Sequence, residues 1–233
     1  THQKPRAEVT VPGYLKRDDG AVEEFGYFEA SVRTADDAVG RVLAALNRTG
    51  LADNTLVIFT ADHGIPFPRA KCTLYDPGLQ VPLILRWPKA PWRAGTVHET
   101  MISNVDYVPT LCDLLGLPQA ADAQGWSYAV LLRGQPCQPR REVFAEMTYH
   151  DYYDPLRAIR TARYKLIVSF CNNSAFMDPT QQWWHRTITV VPPDPPNARH
   201  QLVELYDLEE DPLEHRNLAD EPALAEVKRN LLG

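Results

Sequence analysis

One run constrains the fold more than any other. Thr55-Leu-Val-Ile-Phe-Thr-Ala61 is almost continuously apolar and β-branched, and it ends on Asp62-His63-Gly64. It reads as a strand buried on both faces, of the kind found in parallel sheets covered by helices. The elements around it fit. Phe28, Val32, Ala35, Val39, Val42 and Leu46 recur three and four apart and make one apolar helical stripe, which Gly50 ends. A second strand is expected over Val81-Pro-Leu-Ile-Leu-Arg86, its proline suiting a strand's first residues. Asp106 offers a cap for a short helix through Pro109, Leu111, Leu114 and Leu115, closed by Gly116. This order is the rhythm of an α/β layered fold.

The flanks differ in character. Residues 1–25 are polar and interrupted by Pro5, Pro12 and Gly13, which suggests a surface loop. Residues 117–141 are richer in Pro, Gly and Gln and read as a connecting excursion. Beyond them Val143–Met147, Ala158–Thr161, Tyr164–Ser169 and Leu202–Tyr206 are short strand-like pieces joined by turns, as in an antiparallel sheet. A last helix is expected from about Asp220, with Pro222 in its first turn and Leu224, Val227 and Leu231 facing inward. The expected domains are residues 1–155, part of an α/β catalytic domain, and 156–233, a small α+β subdomain.

Charge and composition narrow the classes. A formal net charge of -6, with no Lys/Arg run or basic stripe, argues against a nucleic-acid partner. No apolar stretch approaches the roughly 20 residues of a membrane span. Cys72, Cys112, Cys137 and Cys171 lie far apart with no C-x-x-C pair, so they form neither a zinc cluster nor a small disulfide scaffold, and their pairing stays open. Asn47-Arg-Thr49 and Asn172-Asn-Ser174 match the N-glycosylation triplet, which also arises often by chance.

The chemistry centres on Asp62-His63-Gly64. Ligand sites in α/β sheets collect at the carboxyl ends of strands. A carboxylate and an imidazole there, followed by a permissive glycine, can reach a metal together; the alternative is a capping aspartate and a hydrogen-bonded histidine in a turn. The surrounding segment LVIFTADHGIPFPRAKCTLYDPGLQVPLIL, residues 56–85, resembles the sulfatase branch of the alkaline-phosphatase-like superfamily. Further matches follow in order: Val105-Asp-Tyr-Val-Pro-Thr110, Leu131-Leu-Arg-Gly134, Arg157-Ala-Ile-Arg-Thr-Ala-Arg-Tyr-Lys165, and Glu204-Leu-Tyr-Asp-Leu-Glu-Glu-Asp-Pro212 with Asn217-Leu-Ala219. Val11-Pro-Gly-Tyr-Leu15 and Ile65-Pro-Phe-Pro68 look most like the heparan N-sulfatase (sulfamidase) and arylsulfatase group.

The resemblance implies a partial alkaline-phosphatase-like sheet covered by helices and followed by an α+β subdomain. It also implies residue roles. Asp62 and His63 fall where the family binds a divalent cation, commonly Ca2+; the imidazole would also suit Mn2+ or Zn2+. Lys71 falls where a lysine contacts the sulfate and the leaving oxygen, and His2 where a histidine contacts the sulfate or supplies a proton. Between Met147 and Asp154 several polar and aromatic side chains could line a sugar pocket, with His150 and Arg157 as candidate substrate contacts.

The family's nucleophile is a formylglycine or serine in a C/S-x-P-x-R motif near the amino terminus, and nothing in the first 60 residues supplies it. Cys137-Gln-Pro-Arg-Arg141 matches the bare pattern but lies after Asp-His-Gly, where the family has a variable loop. The expectation is the carboxy-terminal portion of a sulfatase-type hydrolase acting on a sulfated small molecule or sugar, inactive alone. Its uncovered apolar edges should associate with the missing amino-terminal half or with a second copy. The alternatives are a phosphatase or phosphonate monoester hydrolase of the same superfamily, or a non-catalytic truncated domain. The compartment by resemblance is lysosomal, periplasmic or extracellular.

Overall fold

The computed structural model describes residues 8–90, 92–138, 140–150, 152–173, 190–191 and 199–233. Helix α1 (Asp19–Arg48) begins where the Asp18 side chain accepts from the Ala21 N–H at 3.0 Å, satisfying one of the orphan donors of the first turn. Only its opening turns are buried, through Ala21, Val22, Phe25 and Gly26. Phe25 stacks on Phe67 with ring centroids 4.0 Å apart. Val9, Tyr14 and Leu15 join this cluster, so three residues of the expected polar surface loop are in fact core, while Thr10 and Gly13 between them stay exposed. Its apolar residues are split by Pro12 and Gly13 and show no period. What buries them is contact with Phe67, far along the chain.

The rest of the α1 stripe is open, with Val32 51% and Val42 60% exposed. Strands β1 (Val57–Thr60) and β2 (Leu83–Arg86) pair antiparallel, Val57 opposite Arg86 and Thr60 opposite Leu83. The expectation of a strand buried on both faces is corrected here. With only β2 as a neighbour among the described strands, β1 leaves Ile58 and Phe59 exposed, and Ile84 of β2 is exposed as well.

Between the two strands lies the short helix α2 (Asp76–Leu79). Helix α3 (Tyr107–Leu115) follows a turn capped by Ser103 rather than by Asp106, whose carboxylate reaches back to the Ser103 N–H at 2.8 Å. Gly116 closes α3 in the left-handed conformation, φ 66°, where a Cβ would be strained. The excursion beyond it carries the single-turn helix α4 (Ala129–Leu132).

The four expected strands form one antiparallel sheet in chain order: β3 (Glu142–Tyr149), β4 (Tyr153–Thr161), β5 (Tyr164–Ser169) and β6 (Val203–Asp207). Alternation sends Leu156, Ala158, Ile167 and Tyr206 to one face, where Leu74 joins them. Leu166 and Leu205 point to the other, against Leu224, Val227 and Leu231. Helix α5 (Ala225–Leu232) supplies the last two of these, and its entry turn starts at Pro222. Leu205 is fully buried and contributes about 2 kcal/mol of transfer free energy. Strand β4 runs across residues 155 and 156. All four cysteines are free thiols. No described helix is long and apolar enough to cross a membrane.

Candidate active site

Strand β1 delivers Asp62-His63-Gly64 into a turn that is fixed by the glycine. The Gly64 N–H donates to the Gly78 carbonyl at 3.0 Å, and a Cβ on Gly64 would sit 1.9 Å from the Pro77 carbonyl oxygen. Backbone therefore packs on backbone, and the motif is registered against α2 with no side chain between.

The local hydrogen bonds set the tautomer of His63. Its Nδ1 lies 2.9 Å from the Gly64 carbonyl oxygen, which can only accept, so Nδ1 carries the proton. Nε2 is then directed at Asp62 Oδ2, 3.4 Å away. The other Asp62 oxygen accepts the His63 backbone N–H at 3.0 Å. For a neutral ring this opposes two lone pairs, an unfavourable arrangement that a bound cation relieves. Both side chains are accessible, Asp62 at 85% and His63 at 44%. The pair supplies two donors. Among the described residues no group of three His, Cys, Asp or Glu converges on a metal position, so a complete shell needs donors from elsewhere.

Lys71 returns the chain to this turn, its backbone N–H donating to the Ile65 carbonyl at 3.0 Å. Arg69 and Cys72 on either side of it hold positive φ, 62° and 64°. Non-glycine residues there cost of order 1–3 kcal/mol each, and the conformation persists only where neighbours over-determine it. The Lys71 ammonium has no carboxylate partner among the described residues, and the side chain is half-buried. An anion could approach it without displacing an ion pair.

The neighbours that hold this segment were not singled out in the sequence. The Arg69 guanidinium is buried, donates to the Glu214 carbonyl at 2.6 Å, and lies over the Tyr75 ring at 4.0 Å. Tyr75 donates to Glu204 at 2.8 Å. Lys165 Nζ, fully buried, lies 2.5 Å from Asp76 Oδ1 and 2.7 Å from Glu214 Oε1. Arg160 grips Asp76 through two nitrogens at 3.2 and 3.0 Å. The Asp76 backbone N–H donates to Glu214 Oε2 at 2.6 Å. Burial alone would raise the Asp76 carboxyl, but the Arg160 hydrogen bonds and the Lys165 charge outweigh it and hold the group below its ordinary range. Burial pushes Glu214 up, against the pull of Lys165. A lysine inside the run Tyr164–Ser169 was the available clue, since a charge in an apolar strand must be paired.

The other expected positions are dispersed. His2 lies outside the described residues. His150 sits in the β3–β4 turn, its N–H donating to the Tyr152 carbonyl at 3.3 Å. Arg157 is engaged within the sheet, 3.1 Å from Glu146 and donating to the Met147 carbonyl at 3.0 Å. Asp154 at the end of the candidate sugar segment is fully buried and bound to His200 at 2.9 Å. Cys137 of the bare C-x-P-x-R match lines a small cavity with Asp106 and Arg140, which form a buried ion pair. A larger cavity, about 510 Å³, is lined by Trp92, Arg93, His98 and Arg133 and shares no residue with the Asp62–Lys71 segment.

The family model Sulfatase matches residues 2–117, and the model "N-sulphoglucosamine sulphohydrolase, C-terminal" matches residues 67–180. The human (Homo sapiens) N-sulphoglucosamine sulphohydrolase is 31% identical over 94% of this chain and 48% of its own length. A solved structure in complex with its substrate D-glucosamine-2-N,6-O-disulfate superposes with a TM-score of 0.69 at 25% identity, over 91% of this chain and 39% of that one. The phosphonate monoester hydrolase of Agrobacterium radiobacter gives 0.69 at 26% identity, over 91% of this chain and 40% of that one. This chain spans about half the length of the curated relatives it matches, or less.

Proposed function

This chain belongs to the sulfatase family, and on that footing we propose that the protein hydrolyses a sulfuric ester or sulfamate on a sulfated sugar. The observation that carries the reading is the Asp62–His63 pair, its donor atoms opposed at 3.4 Å, on the same looped segment as Lys71, whose ammonium has no carboxylate partner among the described residues.

Sulfuryl transfer builds negative charge on the leaving oxygen and keeps it on the sulfonyl oxygens, so the site needs fixed positive groups. Lys71 is assigned to the sulfate and the leaving oxygen. Asp62 and His63 would hold a divalent cation, Ca2+ by family habit, which supplies Lewis-acid charge stabilisation when bound. His2 is assigned to proton delivery onto the leaving group, and His150 and Arg157 to the sugar. We place the formylglycine nucleophile, further metal donors and the cover for exposed Val32, Val42, Ile58, Phe59 and Ile84 in additional sequence of the same protein. The α+β subdomain is drawn from β3 onward, because β4 crosses residues 155 and 156.

The phosphonate ester hydrolase reading rests on the Agrobacterium radiobacter likeness. The two separate on one panel: sulfate release from glucosamine 2-N- and 6-O-sulfates, against cleavage of a phosphonate monoester. Faster turnover of a sulfated glucosamine supports the proposal. Phosphonate cleavage with no sulfate release from any sugar overturns it.

A further inference from the structure

The C-terminal sheet reaches the candidate site through a buried charge cluster. Lys165 on β5 is fully enclosed, and so is Glu214, while Asp76 at the start of α2 is 16% exposed. Asp76 opens the helix whose Pro77 and Gly78 form the wall against Gly64. Glu214 itself has φ 57°, and its carbonyl receives the Arg69 guanidinium. One ammonium group thus touches both anchors of the segment: Asp76, which sets the wall behind Asp62-His63-Gly64, and Glu214, whose backbone holds the strained turn before Lys71.

We propose that Lys165 is a positioning residue: held between Asp76 and Glu214, it fixes the 62–80 segment that carries Asp62, His63 and Lys71, without touching substrate. The role rests on the sulfatase reading for its effect on turnover, and on geometry alone for its effect on the segment. Simple stabilisation of the sheet would be a weaker account, since an apolar residue on β5 would serve that end. Buried ion pairs are often no better for stability than apolar residues of similar volume. What an apolar residue would not supply is a charge that draws two carboxylates from different parts of the chain to one point. Nζ lies close to both carboxylates, but neither approach is aligned as a hydrogen bond, so the attraction is chiefly electrostatic.

The experiment is amide hydrogen exchange on the protein and on Lys165→Met, Glu214→Gln and Asp76→Asn, followed by kcat and KM for sulfate release. The expected result for Lys165→Met is exchange faster by roughly tenfold or more in peptides covering residues 62–80, with β3 peptides (142–149) unchanged. Turnover should then fall mainly in kcat, because a displaced Lys71 loses transition-state contacts. Glu214→Gln keeps the Lys165–Asp76 contact and should loosen the segment less than Lys165→Met. It also remains informative if Lys165→Met does not fold. Unchanged exchange over 62–80 in all three variants overturns the proposal, and so does acceleration spread equally over β3. If the wild type releases no sulfate from any sugar, the sulfatase reading fails while the exchange pattern still decides the role of Lys165.

Discussion

Gly64 offers the sharpest structural test of the site's architecture. In Gly64→Ala the new Cβ would lie 1.9 Å from the Pro77 carbonyl oxygen, 2.8 Å from the Gly78 Cα and 2.9 Å from the Pro77 carbonyl carbon. Ordinary contact begins near 3.4 Å, so the two backbones must separate by about 1.5 Å. No flexible side chain stands between them to give way. Overpacking of this kind costs about 1–3 kcal/mol, and loss of the Gly64 N–H to Gly78 bond adds about 1 kcal/mol, so about 2–4 kcal/mol is expected in all. Gly40→Ala is the internal control. It lies within α1 with nothing inside 4 Å of its Cβ position, and should stabilise by about 0.5–1 kcal/mol through helix propensity. Urea unfolding midpoints at constant slope measure both. Gly64→Ala should also weaken divalent-cation binding, because the Asp62-His63 turn moves with it. A Gly64→Ala cost under about 0.5 kcal/mol would mean that the turn is not packed on α2, and the registration argument would fail.

Three further outcomes are expected. Arg140→Met should cost about 3 kcal/mol in the same urea assay, since Asp106 is 3% exposed and would lose its only cationic partner among the described residues; a loss below 1 kcal/mol would contradict the burial of that pair. Asp207 is held below the ordinary carboxylate range, first by its hydrogen bonds from Arg163, and Asp76 is likewise depressed. A depressed carboxyl contributes stability that is present above its unfolded value, about 3.9, and lost as pH falls through the folded value. The thermal midpoint should therefore drop below about pH 4, and less steeply in Asp207→Asn; an identical slope in that variant would refute the assignment. Finally, burial, and then the neighbouring Asp154, push the Cys171 thiol up. Its alkylation by iodoacetamide at pH 8 should be slower than that of a small model thiol, and equal rates would count against the contact.

Local pattern made much of this fold legible. The strands β3 to β6, and Leu224, Val227 and Leu231 of α5 and its entry turn, fell where alternation and helical spacing put them, because those faces meet partners close by in the chain. Asp62-His63 was readable as a pair at a strand's end. Two parts were not. Val9, Tyr14 and Leu15 follow no period and are core only because Phe25 and Phe67 come to them. Asp106 looked like a helix cap from its place before α3. In the structure it is a hub, accepting from the Ser103 and Trp126 N–H groups and pairing with Arg140. The cluster of Asp76, Lys165 and Glu214 has no sequence spacing at all, since tertiary structure alone brings its members together. The burial expected of β1 failed for the opposite reason. Its composition fits a covered sheet, but the described chain supplies only one neighbouring strand.

The claim of hydrolysis at a cation–lysine site is tested most directly by following sulfate release from a sulfated glucosamine while the divalent metal is removed by chelation and restored with Ca2+. The wild type should lose turnover on chelation and regain it on restoration, Asp62→Ala should stay inactive throughout, and Lys71→Ala should bind the cation yet turn over slowly. Full turnover by Asp62→Ala, indifferent to chelation, would contradict the account.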